Sequence, residues 1–154
     1  MIDTPQLAQI PAQFVALIHL TIPRREMRSM MGPGIGEVMA AVTAQSIGPT
    51  GPWFTHHLKM NPATFDFEIC VPVNAPVAAV GRVKAGEAPA LAVALTVYEG
   101  PYEGLATAWQ ELHAWISTNG HDPTPDLYEC YLRGPESSPD PANWRTELRQ
   151  PLIA

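Results

Sequence analysis

Two carboxylates inside short apolar segments are the residues of this sequence best suited to chemistry. Glu68 lies in the segment 64–71, and Glu129 lies in the segment 127–132. A carboxylate among aromatic rings can neutralise a lipophilic cation, because the ring faces also attract positive charge. Burial of such a carboxyl group can instead turn it into a general acid or base. Both uses stay open at this point.

Aromatic residues that can join the two carboxylates are spread along the chain. Side chains in a strand alternate between its two faces, so Glu129 and Tyr131 share one face. For the same reason, Glu68 and Phe67 point to different faces. We expect the apolar face under a helix and both carboxylates on the other surface of the sheet, directed towards a pseudo-twofold axis. The candidate ring partners are Trp53, Phe54, Tyr98, Tyr102, Trp109 and Tyr131.

A loose internal repeat predicts the elements that position these residues. Each half of the chain has an apolar strand, a turn rich in Gly and Pro, a helix-period pattern and two further strands. The turns are Gly32-Pro33-Gly34 and Gly100-Pro101, and each is expected to precede its helix. Gly48 and Gly120 are expected to end the helices.

The repeat predicts an α+β fold made of duplicated β-α-β-β modules within a single domain, residues 1–154. The modules cover about 1–86 and about 87–154, and their last strands are predicted at 77–84 and 144–152. We expect a curved antiparallel sheet, with both helices on one face and a ligand groove between the halves.

Composition excludes several classes of function. The chain has 154 residues, 46% hydrophobic and 16% charged, with 17 Pro and a net charge of −6. An acidic chain without a basic stripe is a poor nucleic-acid binder, because phosphate contacts supply most non-specific affinity, so no direct nucleic-acid binding is expected. No secretion signal and no apolar run of the ~18–20 residues that cross a bilayer occur in the sequence, which favours a cytoplasmic location without membrane contact.

No pattern in the sequence predicts a metal or a cofactor. His56 and His57 are adjacent, so in a strand they face opposite ways. Gly32 to Gly36 resembles a phosphate-binding loop but lacks the spacing that such loops require. The two cysteines, Cys70 and Cys130, are expected to be free thiols.

The combination of several short motifs resembles the GyrI-like family, the stand-alone relatives of effector-binding domains in AraC- and MerR-type regulators. The match covers nearly the whole chain. It is carried by Ile10-Pro11-Ala12, Phe65-Asp66-Phe67-Glu68, Tyr98-Glu99-Gly100-Pro101-Tyr102-Glu103-Gly104-Leu105, Tyr128-Glu129-Cys130-Tyr131, and Trp144-Arg145-Thr146-Glu147-Leu148 with Pro151-Leu152.

The resemblance implies a groove that binds small organic molecules. In regulator relatives a Glu on a strand of the second half contacts cationic lipophilic drugs, and that position matches Glu129. Glu68 is its first-half counterpart by the predicted repeat. The chain lacks the DNA-binding region of the regulators, so the resemblance does not extend to a regulator that acts on its own.

Three functions remain open from the sequence. The first is a module for multidrug binding, in which Glu129 and Glu68 oppose a cationic aromatic guest. The second, also implied by the family, is a detoxifying hydrolase that opens the activated cyclopropane ring of DNA-alkylating natural products. There Glu129 is the general base, and Tyr98 or Tyr102 donates a hydrogen bond. The third is an interaction protein that holds a protein partner in the groove.

Overall fold

The computed structural model describes residues 2–60, 63–135 and 137–153, and residue contacts divide them into two compact modules. Module one comprises residues 11–90, and module two comprises residues 2–10 and 91–153. The strands are β1 (Gln6–Ile10), β2 (Gln13–Pro23), β3 (Phe54–Met60), β4 (Thr64–Val73), β5 (Lys84–Ala88), β6 (Leu91–Glu99), β7 (Leu127–Arg133) and β8 (Arg145–Pro151). The helices are α1 (Met27–Ala44) and α2 (Leu105–Thr118), with 3-10 turns at Arg24–Glu26, Tyr102–Gly104 and Pro141–Asn143.

Module two is a four-stranded antiparallel sheet with one helix on it. Its strands lie in the order β7-β8-β6-β1. Leu112 and Ile116 of α2 are four residues apart and therefore lie on one side of the helix, where they are fully buried. They meet Leu148 of β8 in the module's hydrophobic core. The apolar spacing in α2 thus fixes which face of the sheet the helix covers.

Module one has the same plan. Its strands lie in the order β3-β4-β2-β5, each antiparallel to the next, and α1 packs on β2 and β4. Val38 and Val42 of α1 are fully buried against Ile18 and Ile69. The predicted α+β class and its duplication are therefore confirmed.

The two modules differ in where their outer strand comes from. β5 follows the other strands of module one along the chain, whereas β1 opens the chain and pairs with β6 of module two. Residues 2–10 thus belong to module two, whereas the first module was expected to cover about 1–86. The boundary after residue 90 lies close to the expected boundary near residue 86.

The first half contains a strand that the sequence did not predict. β3 occupies a region that the repeat treated as a Pro-rich connector, because Thr55, His56 and His57 make the segment too polar to read as a buried strand. The strand predicted at 77–84 is wrong. That segment has only a bridge between Val80 and Val83, and β5 begins at its end.

The first helix begins earlier than predicted. The expected turn at Gly32-Pro33-Gly34 lies inside α1, although proline in a helix removes one backbone hydrogen bond. The extra turns are held by packing, since Met27, Met30 and Met31 contact the core of module one. Gly34 packs closely there, because a Cβ at this position would lie 2.6 Å from Ile69 Cδ1 and would have to displace that methyl group.

Of the two glycines expected to end the helices, Gly120 does so and Gly48 does not. Gly120 follows α2 with a left-handed φ of 76°, which confirms its role after the helix. Gly48 does not end α1. That helix stops at Ala44, and the left-handed residue that follows it is Ser46, with φ 56°.

Candidate ligand-binding site

Glu129 on β7 is the centre of the candidate site, with only 9% of its surface exposed. The indole N–H of Trp109 donates a hydrogen bond to Glu129 Oε2 at 2.7 Å, and the Tyr131 hydroxyl donates to Oε1 at 2.7 Å. Trp109 lies on α2, so helix and strand together hold the carboxylate. Both of these donors are neutral, and their hydrogen bonds to the two oxygens fix the direction in which the carboxylate points.

Glu129 lies on the helix-covered face of its sheet. Its partner across the strands is Leu148, a core residue that packs with α2, and directly opposite residues share a face. Glu68 lies on the face of its sheet that the helix does not cover, because its strand neighbours Phe67 and Ile69 point into the core of module one. We expected both carboxylates to project from the sheet face that the helices do not cover. This prediction is wrong for Glu129.

The error came from aligning Glu68 with Glu129. Glu129 lies on β7, the strand that follows the helix of its module, whereas Glu68 lies on β4, the next strand along. In module two, Leu148 lies opposite Glu129 on one side and Thr96 on the other. In module one, Ile69 lies in the same way between Thr55 and Ile18. Thr55, on the unpredicted strand β3, is thus the module-one counterpart of Glu129.

Aromatic rings surround the carboxylate of module two. Tyr102 approaches Tyr131 edge to face, with ring centroids 6.1 Å apart, and lies 4.7 Å from the ring of Trp144. Tyr131 and Trp109 are buried, and both donate to Glu129, whereas Tyr102 and Trp144 are partly exposed. Ring faces carry partial negative charge, so this cluster and Glu129 favour the same kind of guest, a cation with an apolar surface.

Tyr98 has a supporting position. Its hydroxyl donates to the backbone carbonyl of Pro101 at 2.7 Å, and Gly104 packs so closely on that hydroxyl that a Cβ there would collide with it. Burial raises the pKa of Tyr98, and the negative charge of Glu103 raises this pKa further. The phenol therefore stays protonated at neutral pH and shapes the turn that carries Tyr102.

The candidates Glu68, Trp53 and Phe54 belong to module one. Glu68 Oε1 is 3.3 Å from Nδ1 of His56, a residue of the neighbouring strand. Trp53 packs against the core of module one, and Phe54 is buried opposite Cys70 in the register of β3 and β4. Roles for Glu68, Trp53 and Phe54 in ligand binding stay predictions.

Two residues near the site were missed by the sequence reasoning. Trp144 contacts Tyr102, and its indole N–H donates to the Ser138 carbonyl at 2.9 Å. Thr146 on β8 is fully buried, directly between Tyr98 and Tyr131 in the strand register. Both lie in the predicted segment 144–152, but the sequence alone does not show that Trp144 contacts Tyr102 or that Thr146 lies beside Tyr131.

The opposite face of β7 carries a different chemistry. Cys130 is buried there, and burial raises the pKa of its thiol to about 12, with Arg149 opposing the shift and Glu147 adding to it. Glu147 and Arg149 form an ion pair at 2.5 Å. A thiol with this pKa is protonated at neutral pH and is a poor nucleophile.

The described residues form neither a metal-binding cluster nor a membrane-spanning helix. In the ranges 2–60, 63–135 and 137–153, no three His, Cys, Asp or Glu side chains are grouped so that they could hold a metal ion. None of the helices formed by these residues is long and apolar enough to cross a membrane.

The duplicated β-α-β-β scaffold is the fold of a family of small-molecule binding domains. The chain belongs to the GyrI-like family, whose model, described as a GyrI-like small molecule binding domain, matches residues 3–153. The resemblance found in the sequence is thereby confirmed. No curated protein matches the chain.

Solved structures show the same fold. The crystal structure of the EcmrR C-terminal domain is 25% identical, with a TM-score of 0.86 and 97% of each chain covered. In an EcmrR–DNA complex the match has 23% identity and a TM-score of 0.83, and the chain spans 57% of that longer protein.

Two more distant structures share the fold at 12% identity. One is SAV2435 bound to tetraphenylphosphonium, with a TM-score of 0.66 and coverage of 99% of this chain and 95% of that one. The other is a hydrolase from Listeria innocua, with a TM-score of 0.69 and coverage of 97% and 91%.

Proposed function

We propose that this domain binds lipophilic cations that carry aromatic rings, with Glu129 opposing the positive charge. The observation that carries the proposal is the environment of Glu129, whose two oxygens accept hydrogen bonds from the neutral donors Trp109 and Tyr131. These hydrogen bonds hold the carboxylate in one orientation beside the aromatic rings. Burial strengthens the attraction, because solvent screens a buried charge less.

Charge and ring geometry support the same class of ligand. The partly exposed rings of Tyr102 and Trp144 lie at the edge of the cluster and can stack on aromatic groups of a guest. The net charge of −6 favours the approach of cations. SAV2435, which shares the fold, has been solved with tetraphenylphosphonium, a cation of this kind.

A matched pair of ligands tests the proposal. Tetraphenylphosphonium and the neutral triphenylphosphine oxide offer similar aromatic surfaces, and only the first is charged. Calorimetric titration of the wild type should give tighter binding of the cation. Glu129→Gln preserves the shape and one of the two acceptor oxygens but removes the charge, so the Kd for the cation should rise about tenfold or more, equivalent to ~1.4 kcal/mol.

Glu147→Gln is the control for this experiment, since Glu147 lies on the opposite face of the same sheet in an ion pair with Arg149. It removes the same formal charge from module two and should leave the Kd for the cation unchanged. Equal losses in Glu129→Gln and Glu147→Gln, or equal losses for the charged and neutral ligands, would contradict the proposal.

The hydrolase alternative receives less support from the geometry. Tyr98, one of the two tyrosines expected to assist catalysis, donates its proton to the Pro101 carbonyl and not to the space around Glu129. Incubation with a cyclopropyl-dienone electrophile distinguishes the two functions. Multiple turnovers that are lost in Glu129→Gln indicate hydrolysis, and an intact electrophile indicates binding alone.

A further inference from the structure

A buried hydroxyl without a hydrogen-bond partner lies beside the proposed site. Thr146 has no exposed surface, and within the part of the chain that the structure describes its Oγ1 makes no hydrogen bond. Burying a hydroxyl in this state costs about 1–3 kcal/mol, and nearly all buried polar groups in proteins are paired. An unpaired hydroxyl at a binding site is therefore a group that a ligand can satisfy.

The neighbours of Thr146 show which kind of ligand atom fits. Thr146 lies between Tyr98 and Tyr131 in the strand register, on the face that Glu129 shares. The Tyr98 hydroxyl donates to the Pro101 carbonyl, and the Tyr131 hydroxyl donates to Glu129. Of the three hydroxyl groups of Tyr98, Thr146 and Tyr131, that of Thr146 has a proton that is not donated to another group. It can therefore donate a hydrogen bond to an acceptor atom of a ligand.

The size of Thr146 also favours a ligand contact. The matching position of module one, by strand register, is Phe67, which is fully buried and stacks on His57. A threonine side chain is much smaller than a phenylalanine. Module two therefore has a small side chain between two tyrosines, at the position that a phenylalanine ring fills in module one.

We propose that Thr146 determines specificity in the site around Glu129, by donating a hydrogen bond to an uncharged acceptor on the bound aromatic cation, such as a carbonyl oxygen. The inference rests on the proposed function and narrows its ligand class. Thr146 lies one diagonal step in the strand register from Glu129, a Cα separation of roughly 7–8 Å. The acceptor on the ligand should lie at a similar distance from its positive charge.

The ligand reaches Thr146 by displacing a ring. Tyr102 is partly exposed, lies on a short 3-10 turn and packs on Tyr131, the residue directly opposite Thr146. Side chains of this kind change rotamer more easily than those fixed inside a helix or strand. We therefore expect a rotamer change of Tyr102 to be the route by which a ligand reaches Tyr131 and the adjacent Thr146.

Two phosphonium salts and two variants test the inference. The (4-acetylphenyl)triphenylphosphonium and (4-ethylphenyl)triphenylphosphonium cations share charge and shape, and only the first carries a carbonyl acceptor. The wild type should bind the acetyl compound about 5–10-fold more tightly. Thr146→Val, which replaces the hydroxyl by a methyl group, should abolish this preference. Thr146→Ser should keep the preference.

The outcomes separate this inference from the proposed function. If the wild type binds neither cation, the proposed function fails. If it binds both cations equally, or if Thr146→Val keeps the preference, only the inference about Thr146 is overturned. Thermal unfolding gives an independent readout, because removing an unpaired buried hydroxyl should raise Tm by about 2–4 °C. A fall in Tm of that size would show that the hydroxyl is bonded within the protein and would overturn the inference.

Discussion

Module one and module two place different side chains at the same positions of one scaffold. The positions match because Leu20 and Tyr98 precede their 3-10 turns by the same number of residues. A β-bulge also follows His57 in β3 as it follows Tyr131 in β7. Each position in these strands of one module therefore has a defined counterpart in the other module.

The matched positions show a filled core in one module and a polar-aromatic cluster in the other. In module one, Phe67 stacks on His57 with ring centroids 5.4 Å apart, and Thr55 contributes a hydroxyl 3.1 Å from His57 Nε2. In module two the corresponding positions hold Thr146, Tyr131 and Glu129. The first arrangement fills the core with apolar and aromatic side chains, whereas the second is the arrangement on which the proposed function rests.

Replacing Phe67 by the residue of the other module gives the largest expected effect. Phe67→Thr leaves a cavity in a fully buried core and should lower the free energy of unfolding by about 3–5 kcal/mol, measured by urea denaturation. Phe14→Thr removes the same volume at a position that is 43% exposed and should cost much less. Similar losses in the two variants would mean that Phe67 is not a core residue.

The turn before α2 gives the next largest effect. A Cβ at Gly104 would collide with the Tyr98 hydroxyl, so Gly104→Ala should destabilise the protein by about 1–3 kcal/mol. Tyr98→Leu, which introduces the residue found at the matching position Leu20, should relieve the collision in the double variant. A double-mutant cycle measures this coupling.

Gly32→Ala is the control for that cycle. Gly32 lies within α1, and a Cβ there meets nothing within 4 Å. This variant should gain about 1 kcal/mol, because alanine favours the helix. If Gly104→Ala also stabilises the protein, or if Tyr98→Leu does not rescue it, the close packing of the turn on Tyr98 is wrong.

Alkaline pH gives a smaller, graded effect through Cys130. Its pKa is raised from 9.0 to about 12 by burial, so the folded state retains a proton that the unfolded state loses. The stabilising effect is complete below pH 9 and is lost as the pH rises towards 12. The free energy of unfolding should then fall by up to ~1.4 kcal/mol per pH unit from this thiol.

Urea denaturation between pH 8 and 11 measures this loss. Cys130→Ala has no thiol to ionise and should show a shallower decline over the same range. Parallel declines in the wild type and in Cys130→Ala would assign the effect to other groups.

Local patterns in the sequence predicted module two better than module one. The helical spacing of Trp109, Leu112 and Ile116 matches α2, and Gly120 follows it as expected. In module one, packing of methionines against the core overrides the breaking tendency of Pro33, and the polar sequence of β3 hides a strand. Tertiary contacts decide both features, and a single sequence does not display them.

The site was predicted in part. Glu129 and its face-sharing with Tyr131 follow from the alternation of a strand, and Trp109 was a candidate partner. Thr146 and Trp144 required the register of β6, β7 and β8, which depends on contacts between distant segments. The incorrect pairing of Glu68 with Glu129 has the same origin, because the missing strand shifted the repeat by one element.

The most direct test of the central claim is a nuclear magnetic resonance titration of the tryptophan indole N–H groups with tetraphenylphosphonium. Trp109 and Trp144 report on module two, and Trp53 reports on module one. Binding next to Glu129 should shift the Trp109 and Trp144 signals most, and Glu129→Gln should reduce the shifts at equal ligand concentration. A titration in which Trp53 shifts while Trp109 and Trp144 stay in place would contradict the account.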